Sequence, residues 1–265
     1  MTPMTLGIFS ILLYLISAAL LLKDSFKNTI IKSSLAPAWL AVVLHFSYTF
    51  SLFVQKQSLN FSLFSTASII SSLIALLLLL ASLNKPVEKL GLAIFPIASI
   101  ALLISLLFPN QEYDIQINSW QMSTHILSSI IAFSLLNIAA LQAILLAFQE
   151  QQLRKHPPKR FIQSLPPLET MESLLFQMIA TGILFLTVSL ISGFVFIEDL
   201  FAQHLAHKTF LAIVAWITFS ALLVGKIKYG WRGQTAVKWT LAGFSLLLLA
   251  YFGSKIVLEL ILQRP

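Results

Sequence analysis

Residues 122–148, "MSTHILSSIIAFSLLNIAALQAILLAF", contain no Asp, Glu, Lys or Arg. At ~1.5 Å of rise per residue, ~20 helical residues cross the ~30 Å hydrocarbon layer of a bilayer. This stretch is long enough and apolar enough to do so. Comparable stretches recur at roughly 6–22, 35–54, 63–83, 90–108, 174–197, 208–225 and 237–262. The expected fold is therefore an all-α, polytopic membrane helical bundle of about eight transmembrane helices, forming a single integral membrane domain over residues 1–265. Composition agrees. The chain is 58% hydrophobic and 10% charged, with a mean hydropathy of +0.89, where soluble domains run about 45–50% apolar and about 25% charged. No region is left for a soluble domain of ordinary size.

The connections carry the polar residues. "KDSFKNTIIKSS", "NKPVEK", "EQQLRKHPPKRFIQSLPPLETME" and "KIKYGWRGQT" are basic and hold twelve Lys and Arg, whereas the alternate connections and the ends hold only Lys56, Lys208 and Arg264. Basic loops stay in the cytoplasm, which predicts cytoplasmic first, third, fifth and seventh connections and two extracytoplasmic termini. The long fifth connection contains Pro157–Pro158 and Pro166–Pro167; prolines lock φ and remove donors, so at most a short helix is expected there. The opening "MTPMTLGIFSILLYLISAALLLK" lacks a positive n-region and a small-residue cleavage site, so a retained first helix is expected rather than a signal peptide. The net charge of +7 is topogenic in a membrane chain, and nucleic acid is not an expected partner; the bilayer is. The absence of cysteine excludes disulfides, thiolate metal sites and covalent haem attachment through CxxCH.

The histidines are the residues with chemical potential. His45 lies ten residues into the second span, ~15 Å deep at helical rise, where an ionisable side chain is either functional or hydrogen-bonded to a neighbour. His125 sits about one turn inside the outer end of the fifth span, and Trp120 just before it suits an interfacial anchor. His204 and His207 fall in or near the outer connection before the seventh span, whereas His156 lies in a basic loop and reads as part of a solvated patch. Two ligand classes suit the outer group. Glu198, Asp199, His204 and His207 resemble a divalent-metal set, since imidazole and carboxylate suit zinc-like ions. Alternatively, histidine ligates haem iron axially, and Trp120, Phe201, Phe210 and Lys208 supply aromatic walls and a cation for propionates. No Ser-His-Asp set, phosphate loop or HExxH is visible, so an enzyme is not expected. Lys255 and Glu259 stand at i,i+4 spacing and read as a self-neutralising pair.

"LAHKTFLAIVAWITFSALLVGKIKYGWRGQTAVKWTLAGFSLLLLAYFGSKIVLE" resembles the cytochrome c assembly (CcmC/CcsA/HemX-like) membrane proteins, and within them the YpjD-like inner-membrane subgroup of Gram-negative bacteria. The matching elements are "HK" before a span containing "AW", "GWRG" in a basic loop, and "GF" and "YFG" in the last span. "HILSSIIAFSLLNIAALQA" and "PPLETMESLLFQMIATGILFLTVSLISG" resemble further segments of the same family. The resemblance implies a multi-pass inner-membrane protein that binds or moves non-covalent haem during cytochrome complex assembly; in a Gram-negative cell the extracytoplasmic termini expected from the charge count are periplasmic. It implies outer-face histidines as axial ligands: His125 at the opening of the fifth span, His207 at the "HK" position, and His45 as a membrane-embedded histidine. Partners would then be haem and other cytochrome assembly proteins. The alternative is an accessory or regulatory subunit of a membrane divalent-cation transport system, with the fold shared and no haem delivered.

Overall fold

The computed structural model describes residues 2–26, 32–56, 59–60, 62–108, 114–115, 120–154, 160–196, 203–253 and 255–256. The helices among them are α1 (Pro3–Phe26), α2 (Ala36–Lys56), α3 (Leu63–Ser82), α4 (Gly91–Leu107), α5 (Trp120–Leu153), α6 (Arg160–Gln163), α7 (Leu168–Phe196), α8 (Gln203–Tyr229) and α9 (Gly233–Leu248). Short 3₁₀ turns precede α2 and α4, at Lys32–Leu35 and Glu88–Leu90, and a π-helical segment, Leu249–Gly253, follows α9. Two two-residue strands, β1 (Leu59–Asn60) and β2 (Asp114–Ile115), pair antiparallel. Eight helical stretches among the described residues are long and apolar enough to cross a membrane, as the hydropathy pattern predicts. In lipid, a helix satisfies its backbone hydrogen bonds internally.

Several span limits differ from the apolar runs. The fifth helical stretch is Trp120–Leu153 rather than 122–148, and the sixth Leu168–Val195 rather than 174–197. Both extensions carry polar residues with partners. Glu150 pairs with Arg154 one turn on, and Glu172 accepts from Arg232 and Gly233. The eighth is Gly233–Gly253 rather than 237–262, and residues 257–262 of the expected span lie outside the described residues. The short α6 falls in the proline-rich fifth connection.

The helices group into two compact units. The first comprises residues 1–116 with 156–166, in which α1 packs on α2 and α4, and α3 on α2 and α4. Its interior holds Tyr14, Leu21, Leu78, Leu79, Phe95 and Leu102. Serines join its helices without opening them: Ser10 Oγ donates to the Ala41 carbonyl and Ser17 Oγ to the Ser34 carbonyl, each at 2.8 Å. Lys89 reaches the carbonyl and hydroxyl of Ser164, tying the second half of the long connection to this unit.

The second unit comprises residues 117–155 and 167–265, with α5 packed on α7 and α9, and α8 on α7 and α9. Polar side chains again register the helices. Gln142 Nε2 donates to the Met171 carbonyl at 3.2 Å between α5 and α7, and Trp216 Nε1 to Thr187 Oγ1 at 2.8 Å between α8 and α7. A buried interhelical hydrogen bond in lipid stabilises by about 0.6–2 kcal/mol, so these few bonds fix register while packing supplies most of the attraction.

Candidate functional site

The second unit contains a cavity of about 240 Å³ whose wall includes His125, Ser129, Ser189, Lys208, Tyr251 and Lys255, with leucine, alanine and phenylalanine side chains between them. On α5, His125, Ser128, Ser129 and Ala132 follow at i, i+3, i+4 and i+7, so they share one helix face. The histidine therefore looks toward α7 rather than lipid. Its Nδ1 lies 2.9 Å from the Ser189 carbonyl oxygen. A carbonyl can only accept, so in the neutral ring Nδ1 carries the proton and Nε2 keeps its lone pair. The local sequence makes that approach possible. Gly193 stands one turn after Ser189, and a Cβ there would come within 3.1 Å of His125 Cε1 and 3.3 Å of Nδ1. Glycine leaves room for the ring beside a carbonyl that the Ser192 hydroxyl also reaches, at 3.0 Å.

The rest of the network has a fixed sense. Ser129 Oγ donates its single proton to the His125 carbonyl at 2.6 Å, so the proton in its contact with Ser189 Oγ comes from Ser189. Tyr251 pairs with Ser129 through its hydroxyl, and its ring lies tilted with its centroid 4.8 Å from that of Phe133. Tyr251 belongs to the π-helical segment, a local widening of the helix that re-aims side chains and recurs at functional sites. Lys255 follows one turn later and enters the same wall. The cavity thus combines an imidazole lone pair, a phenol and two ammonium groups in an apolar enclosure, and no Asp or Glu among the described residues lines it.

The residues expected from sequence are distributed unevenly. His125 and Lys208 share this wall. His207 is exposed, and although its neighbours Lys208 and Thr209 line the cavity, it does not. Trp120 is 68% exposed at the start of α5 and does not line the cavity. His45 belongs to the first unit, where it is fully buried with Nε2 2.9 Å from Ser68 Oγ and its ring edge-on to Tyr14; His45 Nδ1 and Tyr14 Oη have no hydrogen-bond partner among the described residues. Glu198, Asp199 and Phe201 lie outside the described residues, as does the side chain of His204. Among the described residues, no group of three His, Asp or Glu could hold a metal ion. Sequence reasoning missed Ser189, Gly193 and Tyr251, and assigned Lys255 only to a pair with Glu259.

A second cavity, of about 550 Å³, lies toward the other end of α5 and is bounded by Glu150, Arg154, Glu169, Glu172, Arg232 and Gln234. Its two arginines are both paired with its carboxylates. Glu172 accepts from Arg232 Nε at 2.9 Å and from the Gly233 amide at 2.6 Å; Glu150 accepts from Arg154 at 2.8 Å and from Gln234 at 2.8 Å. Glu172 raises the already high pKa of the Arg232 guanidinium. This end is a latch on the turn between α8 and α9.

The chain is similar to known proteins over most of its length. A model of a family described as cytochrome C assembly protein matches residues 30–262. Inner membrane protein YpjD of Escherichia coli (strain K12) is 36% identical over 204 residues, 76% of each chain. Cytochrome c biogenesis protein CcsA of Prochlorococcus marinus (strain NATL2A) is 32% identical over 87 residues, 32% of this chain and 28% of that protein. No solved structure matches.

Proposed function

Since this chain belongs to the cytochrome c assembly protein family, we propose that it is a non-enzymatic haem-binding protein of the bacterial inner membrane. Haem is its cargo, held non-covalently at His125. The observation that carries this reading is the Nδ1 contact with the Ser189 carbonyl. A metal-ligating histidine characteristically donates its other ring N–H to a carbonyl or carboxylate, which fixes the tautomer and makes the free nitrogen more basic. His125 has that arrangement. The surrounding groups suit a porphyrin: apolar and aromatic walls for the ring, Lys208 and Lys255 for its carboxylates. Ligand pockets commonly enclose about 300–1,000 Å³, so a cavity of about 240 Å³ receives part of the ring and leaves the remainder beyond its mouth. Such partial enclosure suits a carrier that must release what it binds. The excess of Lys and Arg in the alternate connections supports an extracytoplasmic side for the termini and the His125 end. His207, exposed near that end, is available as a ligand from outside the cavity. Three of the residues on which the divalent-cation alternative turns, Glu198, Asp199 and His204, have side chains outside the described residues.

The purified protein is expected to show oxidised and reduced haem bands and a stoichiometric pyridine haemochrome after haem-replete expression. A featureless spectrum from folded protein would refute the reading. Gly193→Ala supplies a graded check. A methyl group 3.1 Å from Cε1 forces the ring to give by a few tenths of an ångström and stretches its bond to Ser189. Loss of such supporting contacts commonly costs about 10–100-fold in metal affinity, and the low end of that range is expected by haem titration, with thermal stability retained.

A further inference from the structure

We infer that the lipid-facing side of the turn between α8 and α9 binds a phospholipid with a net-negative headgroup, which Lys228 and Lys238 hold from two helices. This is the end of the second unit away from His125, and the inference does not depend on haem. The exposed side chains of a spanning helix are those that meet lipid. On α8, Ile217, Val224 and Ile227 are exposed and stand at i, i+7 and i+10, so they form one stripe. Exposed Lys228, at i+11, ends it. On α9 the order is reversed: exposed Lys238 comes first, and Ala242, Ser245 and Leu249 follow on the same face at i+4, i+7 and i+11. Each stripe thus leads to one lysine. Lys238 stands five residues inside the span that begins at Gly233, ~7 Å along the helix. A lysine at that depth lays its stem on apolar surface and lifts its ammonium to the headgroups.

Neighbouring cations are already engaged. Arg154 pairs with Glu150 and Arg232 with Glu172, and Lys226 lies 3.9 Å over the ring of Phe176. Among the described residues, no carboxylate lies within ion-pair distance of Lys228 or Lys238. The acidic residues outside the described ones precede α5 (Glu112), precede α8 (Glu198 and Asp199) or follow α9 (Glu259). Those three helices meet the turn by their other ends, α5 through the bond from Gln234 to Glu150. Tyr229 and Trp239, each next in sequence to one of the lysines, are joined through Trp231 in a ladder with ring centroids 6.3 and 5.1 Å apart. Amphipathic rings settle at the membrane–water interface, so the ladder holds the turn at the depth of the phosphates. The lipid that fits lays its chains on the two stripes and its phosphate between the lysines. A zwitterionic headgroup brings an ammonium of its own to that phosphate; a net-negative one leaves its charge to the protein.

The test uses the full-length protein in phosphatidylcholine vesicles, with phosphatidylglycerol or phosphatidylcholine brominated on the acyl chains as the tryptophan quencher. A lysine near a membrane surface favours anionic lipid about fivefold, so the pair predicts a preference of about twentyfold for phosphatidylglycerol in the quenching of Trp231 and Trp239. That component is identified by its loss in Trp231→Phe/Trp239→Phe. Lys228→Gln/Lys238→Gln should lower the preference to about twofold or less. Lys228→Arg/Lys238→Arg should keep it, which separates recognition from a folding defect. Equal quenching by the two lipids in the wild type would overturn the inference, as would a preference that survives Lys228→Gln/Lys238→Gln. Displacement of the brominated lipid by free glycerol phosphate would also overturn it and assign the lysines to a soluble phosphate ester. Lysine-specific crosslinking of wild-type copies through this face, in vesicles with lipid in large excess, would assign it to a second copy of the chain instead.

Discussion

His125→Ala is expected to lower haem affinity by more than about 100-fold, because loss of supporting groups alone reaches 10–100-fold at metal sites and this variant removes the proposed ligand itself. The fold should survive. The Ser189 carbonyl loses one donor but keeps its helical partner and the Ser192 hydroxyl at 3.0 Å, so no buried acceptor is left bare. Exogenous imidazole should restore part of the haem spectrum by entering the vacated space. His207→Ala and His45→Ala are the contrasting variants. His207 is exposed outside the cavity wall, and His45 already engages Ser68 in the first unit. Haem titrations of the three variants decide the assignment. If His207→Ala or His45→Ala abolishes binding while His125→Ala leaves it intact, the ligand has been misplaced.

The eight-helix character was legible in the sequence because a membrane imposes a length and polarity requirement that hydropathy reads directly. Helix ends were harder to read. The apolar run before Glu150 stops near 148, but α5 continues to Leu153 because Glu150 finds Arg154 one turn later. Likewise α7 begins at Leu168, well ahead of its apolar core, because Glu172 is held by Arg232 and Gly233, sixty residues downstream. Hydropathy registers the glutamates as loop residues. Their partners, distant in sequence, let the helix include them.

The site was legible only in part, and the reason is geometric. His125 could be picked out by its depth and by the resemblance of its segment to a known family. Its orienting partner could not, since any residue carries a backbone carbonyl and the room left by the missing Cβ of Gly193 has no pattern of its own in sequence. His207 and Lys208 are adjacent in the chain and were read together, yet successive helical residues point to different faces; Lys208 lines the cavity and His207 does not. Tyr251 was passed over because regular helical spacing does not anticipate a π-helical segment. Lys255 was read through its i,i+4 neighbour, which says nothing about the α8 lysine across the cavity.

Gly225→Ala tests the other end of the second unit and is expected to lower the apparent melting temperature, against the helix-propensity trend. In an ordinary helix the change gains up to about 1 kcal/mol. Here α8 ends at Gly230, whose φ of 65° is the left-handed cap that glycine favours, with its amide donating to the Lys226 carbonyl at 3.1 Å. The next amide, of Trp231, donates to the carbonyl of Gly225 itself at 3.2 Å. That bond draws the indole across Gly225, where a Cβ would stand 2.2 Å from Trp231 Cε3. The ring is stiff, so it must swing away and give up its packing on Trp239 at 5.1 Å and Tyr229 at 6.3 Å. Overpacking of this kind costs about 1–3 kcal/mol, which outweighs the propensity gain. Thermal unfolding in detergent at one fixed scan rate, followed by tryptophan fluorescence and scattering, reads the sign. Adding Trp231→Ala removes the clash, so in that background Gly225→Ala should become neutral or stabilising. A rise in melting temperature for Gly225→Ala alone would mean that the indole does not rest on this glycine, and that the "GWRG" turn is held by its carboxylate latch rather than by its tryptophan.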